Sequence, residues 1–106
     1  MRIILTVLTL AGLSATAGSA ADAKAGQAVY IKSCKTCHGA DGTANPAIAK
    51  MMKVDIKDLG SADVQAMSDD DIKGVVTAGK GKMKPVLTVS GVAVDNVVAY
   101  VRTLKK

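Results

Sequence analysis

The chain has 106 residues, a net charge of +5 and no Glu, Trp or Phe. That length holds one small domain and excludes two. The basic excess is nearly all Lys with no aromatic rings interleaved, which argues against a nucleic-acid surface and suits a soluble domain or one that meets acidic partners.

Arg2 is followed by the apolar block "IILTVLTLAGL" and then by the small-residue run "SATAGSAADA". A basic start, an apolar middle and small residues suited to cleavage predict a secretory signal peptide over residues 1–20, cut after Ala20, with Ala21 and Ala23 as other cut sites. The rival reading is an uncleaved N-terminal membrane anchor, because Ile3 to Ala21 carries no charge and is nearly long enough to span. Its second half is Ala, Gly, Ser and Thr, so apolarity fades where an anchor needs it. The mature domain is therefore expected over 21–106. Its core looks poor, since Tyr30 and Tyr100 are its only rings and large aromatics usually supply much of the buried area.

Helical punctuation dominates the remainder. Asp22 is placed to cap a helix through "AKAGQAVYIKS", with Ala25, Val29 and Ile31 or Tyr30 on apolar faces. In "NPAIAKMMK", Asn45 caps and Pro46 takes the favoured first helical position. Met51 and Met52 on that helix read as core packing. "SDDDIKGVVTAG" starts at Ser68 with acids in the first turn, which complements the helix dipole. From about Val92 to Leu104 the Val content suits a strand, but Val94, Val97, Val98, Val101 and Leu104 keep the three-and-four rhythm of a helix. No convincing pair of strands appears, so the fold is expected to be all-α.

The segment Cys34-Lys35-Thr36-Cys37-His38 carries the chemistry. A redox dithiol of this spacing belongs at the head of a helix in a βαβ setting, which is missing. A structural zinc site wants four N or S donors, and two Cys with the chain's single His make three. As a haem attachment motif the segment is complete: Cys34 and Cys37 add to the haem vinyl groups as thioethers, and His38 lies under the iron. A covalently held porphyrin would also supply the apolar bulk that the side chains lack, so the chain without haem is expected to be largely unfolded. Such attachment takes place outside the cytoplasm in bacteria, which agrees with the leader and a periplasmic location.

An iron held by His38 alone has a second axial position to fill. Met is a soft donor suited to it, and a His/Met pair raises the reduction potential relative to harder donors. Met67 sits just before the Ser68 cap and reads as packing. Met83 is different: "GKGKMKP" follows a helix end, bears glycines that allow close backbone approach and leads into a stiffening Pro85. Met83 is the expected second ligand.

With these residues in view, the chain resembles the small soluble bacterial class I cytochromes c, the monohaem carriers with an N-terminal attachment motif. "GQAVYIKSCKTCHGADG" resembles the family's first helix and haem loop, with Gly26 and Tyr30 where the family places a small and an aromatic residue. "MSDDDIKGVVTAGKGKM" resembles the helix that leads to the methionine ligand, and "VVAYVRTL" the last helix, whose Tyr100 packs where the first helix crosses it. The resemblance implies a cytochrome c fold of about four to five short helices around one covalently bound haem c, with His38 and Met83 as axial ligands. It also implies that the Pro46 carbonyl accepts a hydrogen bond from His38. The chain departs from many relatives in placing Lys84 between Met83 and Pro85, and in carrying Tyr at position 30 where Phe is common.

The function expected is periplasmic one-electron transfer, with both axial positions filled and no substrate at the iron; the protein is an electron carrier and not an enzyme. Lys35, Lys80, Lys82 and Lys84 flank the two haem-binding loops as a docking face for redox proteins with acidic surfaces. Transient contact with membrane-bound redox complexes fits the same face, and the carrier is expected to be a monomer. A labile Met83 would instead give a ligand-binding or peroxidase-active haem protein, for which the chain offers no spare His or Glu. The remaining alternative is a haem-free thiol–disulfide protein.

Overall fold

The structure, a computed structural model, describes residues 21–106. The expected signal peptide and its rival anchor lie outside the described residues. Six helices follow in chain order: α1 (Ala23–Ser33), α2 (Lys35–His38), α3 (Pro46–Met52), α4 (Ala62–Gln65), α5 (Asp69–Ala78) and α6 (Val92–Thr103). The fold is all-α, and among the described residues the β-type pairing is one isolated bridge, Lys80 to Met83. The count exceeds the expected four to five because α2 and α4 are single turns of four residues. No described helix is long and apolar enough to cross a membrane.

Helix starts follow local chemistry. The Asp22 carboxylate accepts from the N–H groups of Lys24 and Ala25 at 2.9 and 3.2 Å. Asn45 Oδ1 accepts from Ala47 N at 3.1 Å, ahead of Pro46 at the first helical position. Ser61 and Ser68 accept through Oγ from Val64 N and Asp71 N. Each cap satisfies a donor that has no intrahelical partner.

The crossing of α1 and α6 organises the domain. A Cβ added at Gly26 would stand 1.8 Å from the Asn96 carbonyl oxygen, so the two backbones meet where no side chain fits. The Asn96 side chain in turn accepts from Asp22 N at 2.8 Å. One turn after Gly26, Tyr30 is fully buried, its ring centroid 5.0 Å from that of Tyr100 with the planes tilted by 55°. The inward face of α1 is thus Gly26, Val29 and Tyr30; Ala25 and Ile31 point outward because they flank that three-and-four stripe.

Valines make the core. Val64, Val76, Val89, Val94, Val97 and Val101 form one buried cluster, with Val29, Leu59, Val86 and Ala93 packed against it. Every valine expected on the inner face of α6 is buried, and Ile72 and Val76 bring α5 to the same centre. Burying each such side chain contributes about 1.5–2 kcal/mol. Met51 and Met52 do not join them. Met51 is 72 % exposed and Met52 half-buried, because α3 packs on α2 and lies outside the valine cluster.

Long polar side chains tie the remaining segments down. Arg102 donates to the carbonyls of Gln65 (2.9 Å) and Met67 (2.7 Å) and pairs with Asp69 at 2.7 Å, which fixes the α4–α5 corner on α6. Gln65 Nε2 donates to the Leu59 and Val101 carbonyls. Lys106 pairs with Asp58 and reaches Thr43 Oγ1 at 2.9 Å, joining the chain end to two loops.

Gly26→Ala is expected to lower the unfolding free energy by about 2 kcal/mol or more, read as a fall in the urea midpoint, because the clash is with backbone and must be relieved by parting the helices. The Lys106 ammonium and then the Gly60 N–H hold the Asp58 carboxyl below the usual carboxylate range. A carboxyl depressed on folding adds stability above its unfolded pKa and loses it as pH falls through the folded value. Asp58→Asn is therefore expected to lower the thermal midpoint at pH 7, with the gap to wild type closing on acidification below about pH 4.

Candidate functional site

The Cys-x-x-Cys-His segment is the one-turn helix α2 together with its cap, Cys34. Cys34 ends α1, its N–H donating to the Tyr30 carbonyl at 2.8 Å, and its own carbonyl accepts from His38 N at 3.0 Å. Cys34 and Cys37 are three residues apart across this turn, a spacing that brings side chains to one face of a helix. Both thiols are free and half-buried. Burial, and then the neighbouring Cys37, push the Cys34 thiol up, away from the low-pKa thiolate on which thiol–disulfide catalysis depends. Burial pushes His38 down, which keeps the imidazole neutral and its lone pair available to a metal at neutral pH.

Two residues clamp this turn from outside. Tyr30 Oη donates to the Gly39 carbonyl at 2.6 Å, with the His38 carbonyl at 3.4 Å. Its hydroxyl, foreign to a Phe at this position, thereby finds a partner and fastens the end of α2 to α1. Asn45 holds the other side: its N–H donates to the Cys37 carbonyl at 2.9 Å and its Nδ2 to the Thr36 carbonyl at 3.2 Å. Sequence reasoning assigned Asn45 only a capping role. The signal for the second role was its amide, whose oxygen suffices for the cap and leaves Nδ2 to donate elsewhere.

His38 Nδ1 is buried and has no hydrogen-bond partner. The Pro46 carbonyl therefore does not accept from it here. As the first residue of α3, Pro46 directs its carbonyl along the helix toward the N–H four residues on. Tyr30 and the turn of α2 hold the His38 backbone.

Met83 closes a four-residue turn. Lys80 N donates to the Met83 carbonyl at 2.9 Å and Met83 N to the Lys80 carbonyl at 3.0 Å. Gly81 has φ +58° and Lys82 a negative φ, the pattern of a type II′ hairpin turn, which calls for Gly at that corner. Gly79, at φ +78°, admits the returning strand, since a Cβ there would lie 2.6 Å from the Met83 carbonyl oxygen. Val86 N bonds the Val76 carbonyl at 2.8 Å and anchors the loop to α5. Met83 itself is half-buried among exposed lysines.

The attachment turn and the Met83 turn are linked through α3. Asn45 fixes the start of α3 to α2, and Lys82 Nζ donates at 2.7 Å to the carbonyl of Met52, the last residue of α3. Lys80 and Lys84 share the Met83 loop and are exposed, whereas Lys35 stands on α2. Among the described residues no group of three or more His, Cys, Asp or Glu side chains is placed to hold a bare metal ion. Two free thiols on one turn, a neutral half-buried imidazole on the next residue and a thioether presented by a braced loop do fit a covalently held haem.

Residues 21–101 match the family model of subunit III of the cbb3-type cytochrome c oxidase. Among solved structures, the c-type cytochrome KustC0563 is similar, with 30 % sequence identity and a TM-score of 0.65 over 76 % of this chain and 98 % of that one. No curated protein matches the chain.

Tyr30→Phe keeps the ring and removes the donor to Gly39. It is expected to cost about 1–2 kcal/mol of unfolding free energy in a urea titration, with the far-ultraviolet dichroism of the folded protein unchanged.

Proposed function

The chain belongs to the family of the cbb3-type cytochrome c oxidase subunit III and is a small class I cytochrome c, and from that premise we propose that it is a monohaem electron carrier whose axial ligands are His38 and Met83. Haem-based electron transfer is the chemistry of the family, and its haem c is covalently bound. When bound, the haem supplies a one-electron Fe(II)/Fe(III) couple.

The protein's own residues determine what else can happen there. Cys34 and Cys37 tether, and α2 keeps them on one turn. His38 donates as a neutral imidazole because burial disfavours its proton. Met83 donates a soft thioether, which favours a higher potential than a harder second ligand would give. With His38 and Met83 both holding the iron, substrate would be kept from the metal and the site confined to electron exchange. The single observation that carries the Met83 assignment is its turn: both backbone groups of Met83 are spent on Lys80, two glycines make the tight return possible, and Val76 holds the exit. Met51, Met52 and Met67 have no comparable presentation.

Export to the periplasm with loss of residues 1–20 is part of the same proposal, as is a monomeric carrier. Lys35, Lys80 and Lys84, all exposed, offer positive charge to a redox partner with an acidic face.

The ferric protein is expected to show a low-spin spectrum with the weak far-red band of a methionine–iron bond. Met83→Ala should abolish that band and lower the midpoint potential by on the order of 100 mV, within the roughly 0.8 V that axial ligands span. Met51→Ala, Met52→Ala and Met67→Ala should each retain it. An unaltered spectrum in Met83→Ala, or a high-spin wild type that readily binds carbon monoxide, would overturn the assignment.

A further inference from the structure

Lys82 was grouped with the docking lysines, yet its ammonium is engaged. It donates at 2.7 Å to the Met52 carbonyl, across thirty residues of chain. That carbonyl lies in the last turn of α3, where main-chain acceptors lack intrahelical donors and the helix dipole favours a cation. The chain turns away at Lys53, whose φ of +55° is the one positive value at a non-glycine among the described residues. The N–H of Lys53 bonds back to Ala49 and Lys50 and closes the helix there, and the Met52 carbonyl accepts from the Lys82 ammonium.

The far end of α3 is already fixed. Asn45 joins it to the attachment turn through the Thr36 and Cys37 carbonyls. Among the described residues the Lys82 bond is the one hydrogen bond between α3 and the segment 79–85. Residues 82 and 83 are adjacent, so whatever fixes the Lys82 side chain restrains the approach of Met83.

We propose that Lys82 is a positioning residue, a strap that fastens the Met83 turn to the C-terminal end of α3 and thereby keeps the thioether from leaving its post. The proposal rests on the reading of Met83 as an axial ligand. It withdraws Lys82 from the docking face and gives it an internal task. Charge-assisted bonds of this kind are stronger than neutral ones, and an exposed one still slows release of the segment it holds.

The test uses the ferric holoprotein with imidazole as the competing ligand. Lys82→Met is expected to raise the rate at which imidazole displaces Met83 about fivefold, and to speed amide hydrogen exchange over residues 80–84. Lys82→Arg, which keeps a long cationic donor, should stay near wild type on both readouts. Lys50→Met removes the same charge from α3 without touching the strap and should change neither. Equal displacement rates in Lys82→Met and wild type would overturn the strap, as would the same acceleration in Lys50→Met. If the wild-type far-red band is present and lost in Met83→Ala while Lys82→Met behaves as wild type, the strap alone fails. A wild type without that band overturns both the strap and the ligand assignment.

Discussion

At the point where Gly26 faces the Asn96 carbonyl, α1 and α6 approach with nothing between their backbones. That contact fixes where Tyr30 lies one turn later, against Tyr100 and wholly out of solvent. The Tyr30 hydroxyl then reaches the Gly39 carbonyl and so fixes the end of the Cys-x-x-Cys-His turn. The position of the chemical site thus descends from a packing constraint between the first and last helices. A side chain at residue 26 would be felt at His38 through two rigid steps, although the two residues share no contact in that chain of bonds.

Much of this was legible in the sequence because the signals were local. Asp22, Asn45 and Ser68 are short polar acceptors placed before helical runs, and each caps the helix it introduces. The valine rhythm of α6 identified its buried face in spite of a residue type that favours strands. The attachment motif named its own cofactor, and family membership agrees. What escaped depended on distance. The sequence puts Ala25 on an apolar face of α1 and leaves Ile31 and Tyr30 as alternatives; the crossing at Gly26 turns Ala25 outward and selects Tyr30. The two methionines of α3 have the composition of core residues, but a seven-residue helix on the rim has no core to enter. The partner of Lys82 lies thirty positions away, and no local pattern distinguishes a bonded lysine from a free one. The single turns α2 and α4 are too short to show any periodicity.

A common device recurs outside the core. Arg102, Gln65, Lys82, Tyr30 and Asn45 each send a side-chain donor to main-chain carbonyls of another segment. Carbonyls at loop ends and helix ends are acceptors that folding leaves without strand or helix partners, and long donors meet them without demanding a matching acid. The basic excess of the chain is thus in part structural, since Lys82 and Arg102 are cations that serve as donors to main-chain carbonyls. Ion pairs add to this scheme at the α5–α6 seam and at the chain end, where Lys73 meets Asp95 and Lys106 meets Asp58.

The valine content of α6 has a kinetic consequence. β-Branched residues are indifferent helix formers, so this helix has little tendency to persist in isolation and gains its order by lying on α1. Its docking partner is the first described helix, with roughly 60 residues between them, and closing a loop of that length costs on the order of 4 kcal/mol of chain entropy. The decisive folding step therefore brings α1 and α6 together, and the domain should reach its native state more slowly than its short helices alone would suggest.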